Sequence, residues 1–192
     1  MSSLYRMLHR APQWTTVSAT GHRPQHLSTA EGQWVRTELA HVVQKLRDVH
    51  AMETGISGMA IGADMWWAEE LLSAGVRLWA HVPFPQQPDR WPPAERARWR
   101  RLLDQAAQVT TYGDAYDVCL LHERNDGMLA YSQAVVAVWK RSKTTGGTAS
   151  AFRKARRRGL PIVHLDPERR TVSLISAGAA GRRTTDHTAK GD

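Results

Sequence analysis

A single cysteine, Cys119, stands in this chain of 192 residues. It cannot close an internal disulfide, and it has no second cysteine at metal-ligand spacing. Such a lone thiol is expected in the core. The nine histidines form no HExxH pair and no His/Cys cluster, which removes the usual structural metal sites. No apolar run reaches the roughly 18 residues that a membrane-crossing helix needs. Residues 1–10 lack the apolar stretch of a secretory leader, so a cytoplasmic protein with no membrane partner is expected. Acidic side chains are also scarce. Against 26 Lys and Arg there are 18 Asp and Glu, a net charge of +8. That balance favours anionic partners, either small ligands or nucleic acid.

What is present is ordinary for a globular chain: 42% hydrophobic and 23% charged residues, with length for one domain and a tail. The cations concentrate at Arg96, Arg98, Arg100 and Arg101, and again at Arg153, Lys154, Arg156, Arg157 and Arg158. Both runs read as helical, with solvated faces that complement a helix C-terminus. The eight tryptophans are mostly core candidates. Trp66, Trp67 and Trp99 fit either the core or an apolar interface between copies, so a homo-oligomer is an open expectation.

The pattern of the chain is strand and helix in alternation. Trp14–Ala19 reads as a strand, and Ser28 or Thr29 caps a long helix to about Val49. A strand over Met52–Ser57 is followed by a helix to about Ser73, with Gly75 closing it. Arg77–Val82 is a third strand, and the proline-rich stretch Pro83–Pro93 is a loop over the carboxyl end of the sheet. A helix runs from Pro93 through Ala107, a short strand lies around Val109–Tyr112, and a helix covers about Cys119–Ser132. Ala134–Trp139 is apolar throughout, as a strand buried on both faces should be. Thr148–Arg158 is helical, Gly159 ends it, and Pro161–Leu165 is the last strand. The organisation expected is an N-terminal segment over 1–13, one domain over 14–176 and a disordered tail over 177–192. The fold class is α/β: a Rossmann-like parallel sheet with helices on both faces.

Three strand-to-helix junctions carry the chemistry. The first, Thr20-Gly21-His22-Arg23-Pro24, sets a polarisable ring and a forked cation at a strand end, where Arg suits phosphate or carboxylate. The second, Gly58-Met59-Ala60-Ile61-Gly62-Ala63-Asp64, is neither a Walker A loop nor a GxGxxG fingerprint. Its glycines permit a tight turn and close ligand approach, and Asp64 can cap the helix or bind a ribose hydroxyl. In the third, Gly146-Gly147-Thr148, backbone N–H groups and the Thr148 hydroxyl at a helix start can meet an anion. In a parallel sheet all three lie on the edge where ligands bind.

Taken in order, these runs resemble the SLOG superfamily, over roughly residues 14 to 166. Ser-Gly-Met-Ala-Ile-Gly-Ala-Asp is similar to the glycine motif of the DprA/Smf DNA-processing proteins, and Thr-Gly-His-Arg-Pro most resembles the YpsA-like branch. The resemblance implies a nucleotide or nucleotide-derived ligand with no required cofactor. It places Gly58, Met59, Gly62, Ala63 and Asp64, with Gly146, Gly147 and Thr148, around phosphate and ribose. Thr20, Gly21, His22 and Arg23 form the opposite wall.

One departure bears on catalysis. The LOG phosphoribohydrolases of the superfamily carry a Glu that falls at Ala151 here, and alanine cannot act as acid or base. Glu69 and Glu70, the nearest alternatives, read as helix-surface residues. The leading expectation is therefore ligand binding, sensing or sequestration. The alternatives are a nucleotide hydrolase using His22 or Asp64 with Arg23, and a DprA-like nucleic-acid binder using the arginine-rich helices.

Overall fold

Alternation of strand and helix persists through the chain: β1 Thr16–Gly21, α1 Thr29–His50, β2 Thr54–Ser57, α2 Ala63–Ser73, β3 Arg77–Val82 and α3 Pro93–Asp104. It continues through β4 Gln108–Thr111, α4 Val118–Ala130, β5 Ala134–Val138, α5 Gly147–Arg157, β6 Ile162–Asp166 and β7 Thr171–Ile175. The computed structural model describes residues 11–176. They form one α/β domain around a seven-stranded sheet of order β4-β3-β2-β1-β5-β6-β7. The expected tail over 177–192 and residues 1–10 of the expected N-terminal segment over 1–13 lie outside the described residues.

Local signals account for the element boundaries. At the start of α1, Ser28 Oγ accepts from the Glu31 N–H at 3.2 Å and the Ser28 N–H donates to Glu31 Oε2 at 2.6 Å, a reciprocal capping box. Its buried stripe is Val35, Leu39, Val42, Val43 and Leu46, at helical spacing. All five residues of β5 are buried, because helices cover both faces of the sheet there. Alternate side chains serve the two sides: Ala134, Val136 and Val138 join the larger core beneath α1 and α2, while Val135 and Ala137 join Phe152, Ala155 and Ile162 beneath α5.

Two expectations are corrected. The sheet is not wholly parallel, since β7 pairs antiparallel with β6 at the edge. Asp166 Oδ1 accepts the N–H groups of Glu168 and Arg169 at 3.1 and 3.3 Å and folds the chain back after β6. Four of the five β7 residues are exposed, so little burial marks the strand in the sequence. Cys119 is exposed on α4, because that helix buries the opposite face through Arg124, Met128 and Leu129. Of the two readings of Trp66, Trp67 and Trp99, the core one holds: they are 6%, 0% and 7% exposed.

Candidate functional site

Strands are added outward on one side through β2, β3 and β4, and the chain then returns to place β5 on the other side of β1. Loops leaving the carboxyl ends of β1 and β5 therefore diverge, and a cleft opens between them. His22 ties the three junctions together. Its N–H donates to the Val138 carbonyl at 3.1 Å, and its carbonyl accepts from the Ala63 N–H at 3.2 Å. Its Nε2 accepts from the Lys140 N–H at 2.9 Å. The Thr148 hydroxyl completes the tie by donating to the Gly21 carbonyl at 3.0 Å. Close approach is what Gly21 permits: a Cβ there would meet the Cβ of Ala63 and lie 2.8 Å from that of Val138.

The resulting cleft has a volume of about 560 Å³, in the range of small-molecule sites. Thr20, Gly21, His22 and Arg23 line it from the first loop, Asp64 from the start of α2, and Gly146, Gly147 and Thr148 from the start of α5. Gly58, Met59, Gly62 and Ala63 are not among the lining residues; they form the turn beneath it. Met59 is fully buried, in the left-handed region at φ 54°. The Gly58 carbonyl accepts from Gln87 Nε2 at 3.2 Å and from Arg124 Nη1, so the proline-rich loop and α4 both hold this turn.

Structures of DNA processing protein A share this architecture. The Streptococcus pneumoniae protein superposes with a TM-score of 0.56 at 17% identity, over 80% of this chain and 50% of its own. For the Helicobacter pylori protein the TM-score is 0.57 at 17% identity, over 83% and 71% of the two chains. The likeness to both is one of fold. This chain spans half the length of the Streptococcus pneumoniae protein. No protein-family model and no curated protein sequence matches it.

Within this fold, α4 supplies a wall that the sequence motifs did not reveal: Leu121, His122, Arg124 and Asn125. Arg124 matters most. It is 7% exposed, its Nη1 lies 3.9 Å from Asp64 Oδ2, and its buried Nε has no hydrogen-bond partner among the described residues. A signal existed, since an arginine four residues before Met128 occupies the apolar stripe of its helix. Three cations line the cleft, Arg23, Arg124 and Lys143, against the single carboxylate of Asp64. No group of three or more His, Cys, Asp or Glu among the described residues could hold a metal ion.

Burial sets the protonation states. It pushes the Asp64 carboxyl up to about 6, against the opposing pull of Arg124 and of the Ala60 and Gly21 backbone. Burial, reinforced by His26, Lys140 and Lys143, lowers His22 to about 4. At neutral pH its ring is uncharged, with Nε2 occupied by Lys140 and the proton on Nδ1. This ring fastens two loops, and its lone pair is not free to act as a base. Ala151 is buried, and α5 contains no acidic residue, so Asp64 is the carboxylate available to the cleft.

These shifts predict opposing pH dependences. His22 and buried His81, both lowered to about 4 from 6.5, take up protons in the unfolded chain first. Their contribution to stability is present at neutral pH and is lost between pH 6.5 and 4. Asp64, raised from 3.8 to about 6, holds its proton in the fold through much of that window and offsets part of the loss. Asp64→Asn is therefore expected to steepen the acid decline by up to about 1.4 kcal/mol per pH unit, read from urea unfolding at several pH values.

The basic helices are partly neutralised within the chain. In α3, Arg98 forms a two-pronged pair with Glu69. Glu69 also meets Arg36 and Arg101, each at 3.9 Å. Lys154 in α5 and Arg158 at its C-cap share Asp126 at 2.6 and 3.2 Å. Glu69 thus belongs to a helix-packing network, away from the cleft.

Proposed function

We propose that the cleft binds a nucleotide or nucleotide-derived anion and that the protein senses or sequesters it. One observation carries this reading: three cations and the amino-terminal end of α5 face one cavity whose lining holds a single carboxylate. A phosphate at Gly146–Thr148 would meet N–H groups that the helix leaves unpaired. Asp64, behind it, is suited to a ribose hydroxyl. The Thr20–Pro24 run supports placing the chain in the YpsA-like branch of the superfamily.

Thermal-shift and calorimetric titration with a panel of nucleotides tests the reading. At 100 times the dissociation constant, bound ligand should stabilise the fold by about 2.7 kcal/mol. Gly147→Asp is expected to weaken binding by at least about tenfold, a loss of ~1.4 kcal/mol, through repulsion of the ligand. Its effect on folding should be small, since no atom lies within 4 Å of a Cβ built at Gly147 and an acid suits a helix start. No nucleotide binding below millimolar, together with no effect of Gly147→Asp, would reject the proposal.

A second reading is single-stranded nucleic acid. The Helicobacter pylori DNA processing protein A structure is described in terms of a single-stranded DNA binding mode. Exposed Arg141, Lys143 and Arg153 flank the α5 end of this cleft. Affinity that rises with oligonucleotide length and falls steeply with salt would favour it over a mononucleotide site.

A further inference from the structure

Asp64 and Arg124 are charge partners that make no hydrogen bond to each other. Arg124 Nη1 lies 3.9 Å from Asp64 Oδ2, beyond hydrogen-bond reach, and donates instead to the Gly58 carbonyl. Its Nε is buried without a partner among the described residues. Both side chains line the cleft although they are only 6% and 7% exposed. The guanidinium therefore holds donors in reserve. A phosphate can offer it two parallel hydrogen bonds of about 2.7–2.9 Å, a stronger contact than the loose pair with Asp64.

A phosphate so placed would leave Asp64 beside a second anion in a site nearly closed to water. The charged and polar groups facing Asp64 are few. The first loop supplies Arg23, uncharged His22 and the Gly21 backbone, the turn before α2 supplies the Ala60 backbone, and α4 supplies Arg124. Lys143 lines the cleft ahead of α5, and no second carboxylate is present among the lining residues. Two anions sharing one buried guanidinium cannot both stay ionised cheaply, so one of them takes a proton. Asp64 is the one prepared to do so, since burial already pushes it up to about 6. A phosphate held by arginine stays ionised.

We propose that an anionic group of the ligand takes Arg124 from Asp64 and that Asp64 accepts a proton from solvent as it does, which makes binding proton-coupled. The inference rests on the nucleotide reading of the cleft. Calorimetry with AMP, ADP and ADP-ribose, in buffers of different ionisation enthalpy, counts the protons exchanged at pH 7. A tenfold gain in the proton affinity of Asp64 on binding predicts that the wild type takes up about 0.4 proton more than Asp64→Asn. On the same basis, wild-type affinity should gain about fivefold more than the variant's between pH 8 and pH 6. The exposed His26 and His122 of the cleft and the nucleotide's own phosphate are common to both proteins, so their contributions cancel. In wild type carrying carboxyl-labelled aspartate, the Asp64 carbon resonance should move to its protonated position on saturation at pH 7, a readout that holds should the variant fold poorly. Binding with equal proton uptake in the two proteins, or with an unmoved Asp64 resonance, would overturn the proton coupling and leave the nucleotide reading standing. No binding of these probes or of any other nucleotide in the panel, at pH 6 or pH 8, would overturn both.

Discussion

Arg124→Met is expected to destabilise the protein by about 3–5 kcal/mol at neutral pH and to weaken ligand binding severely. Methionine roughly fills the space of the arginine stem, so the effect is electrostatic. Asp64 is 6% exposed, with Arg124 as the one cation in ion-pair range of its carboxylate among the described residues. Removing that cation leaves either a buried bare charge or a forced protonation, and the Gly58 carbonyl loses a donor. The loss should shrink as pH falls below the Asp64 value of about 6, because a neutral carboxyl needs no counter-charge. Arg124→Met/Asp64→Asn should recover much of the stability while leaving binding impaired. Urea denaturation at pH 5 and pH 8, with calorimetric titration of the best nucleotide, separates the two effects. Equal destabilisation at both pH values would show that the arginine acts through packing and not through Asp64.

Gly62→Val should cost about 3–5 kcal/mol, for a different reason. Gly62 caps α2 at φ 102°, a region that L side chains rarely adopt. A Cβ there would lie 2.8 Å from both the His22 carbonyl oxygen and Pro24 Cδ, atoms of backbone and ring that cannot swing away. The neighbouring bond from the Ala63 N–H to the His22 carbonyl would be strained with them, displacing the first loop of the cleft. Gly146→Val is the control. Gly146 has a similar φ of 95° but no atom within 4 Å of the built Cβ, so only backbone strain of about 1–3 kcal/mol is expected. Denaturation midpoints of the two variants measure how much of the Gly62 requirement is crowding. If they coincide, the loop crossing adds nothing to backbone strain.

Both variants act where sequence reading was only partly informative. The run Gly58–Asp64 presents as a phosphate turn, since glycines precede a helix start. In the fold, Gly58 gives its carbonyl to Arg124 and Gln87, Met59 is buried, and Ala63 binds His22. Of its notable residues only Asp64, with Ala60, reaches the cleft lining. Motif spacing shows that backbone must come close to something, without showing whether the neighbour is ligand or protein. The α5 junction was more legible: Gly146, Gly147 and Thr148 all line the cavity, because a helix start after a buried strand has one orientation in a parallel sheet.

Alternating apolar runs, breakers and caps are local, and they were enough to determine the α/β class, the order from β1 to β6 and the edge of the sheet that bears the cleft. Tertiary structure decided the rest. Arg124 stands on the apolar stripe of its helix, but only the packing of α4 across β3 sets it beside Asp64. His22 becomes a neutral fastener only when β5 brings Lys140 to its Nε2. β7 pairs with β6 through backbone hydrogen bonds, which barely depend on side-chain identity and leave little trace in a sequence. Periodicity reports which face of an element is buried; long-range packing determines what that face meets, and with it the charge of the cleft.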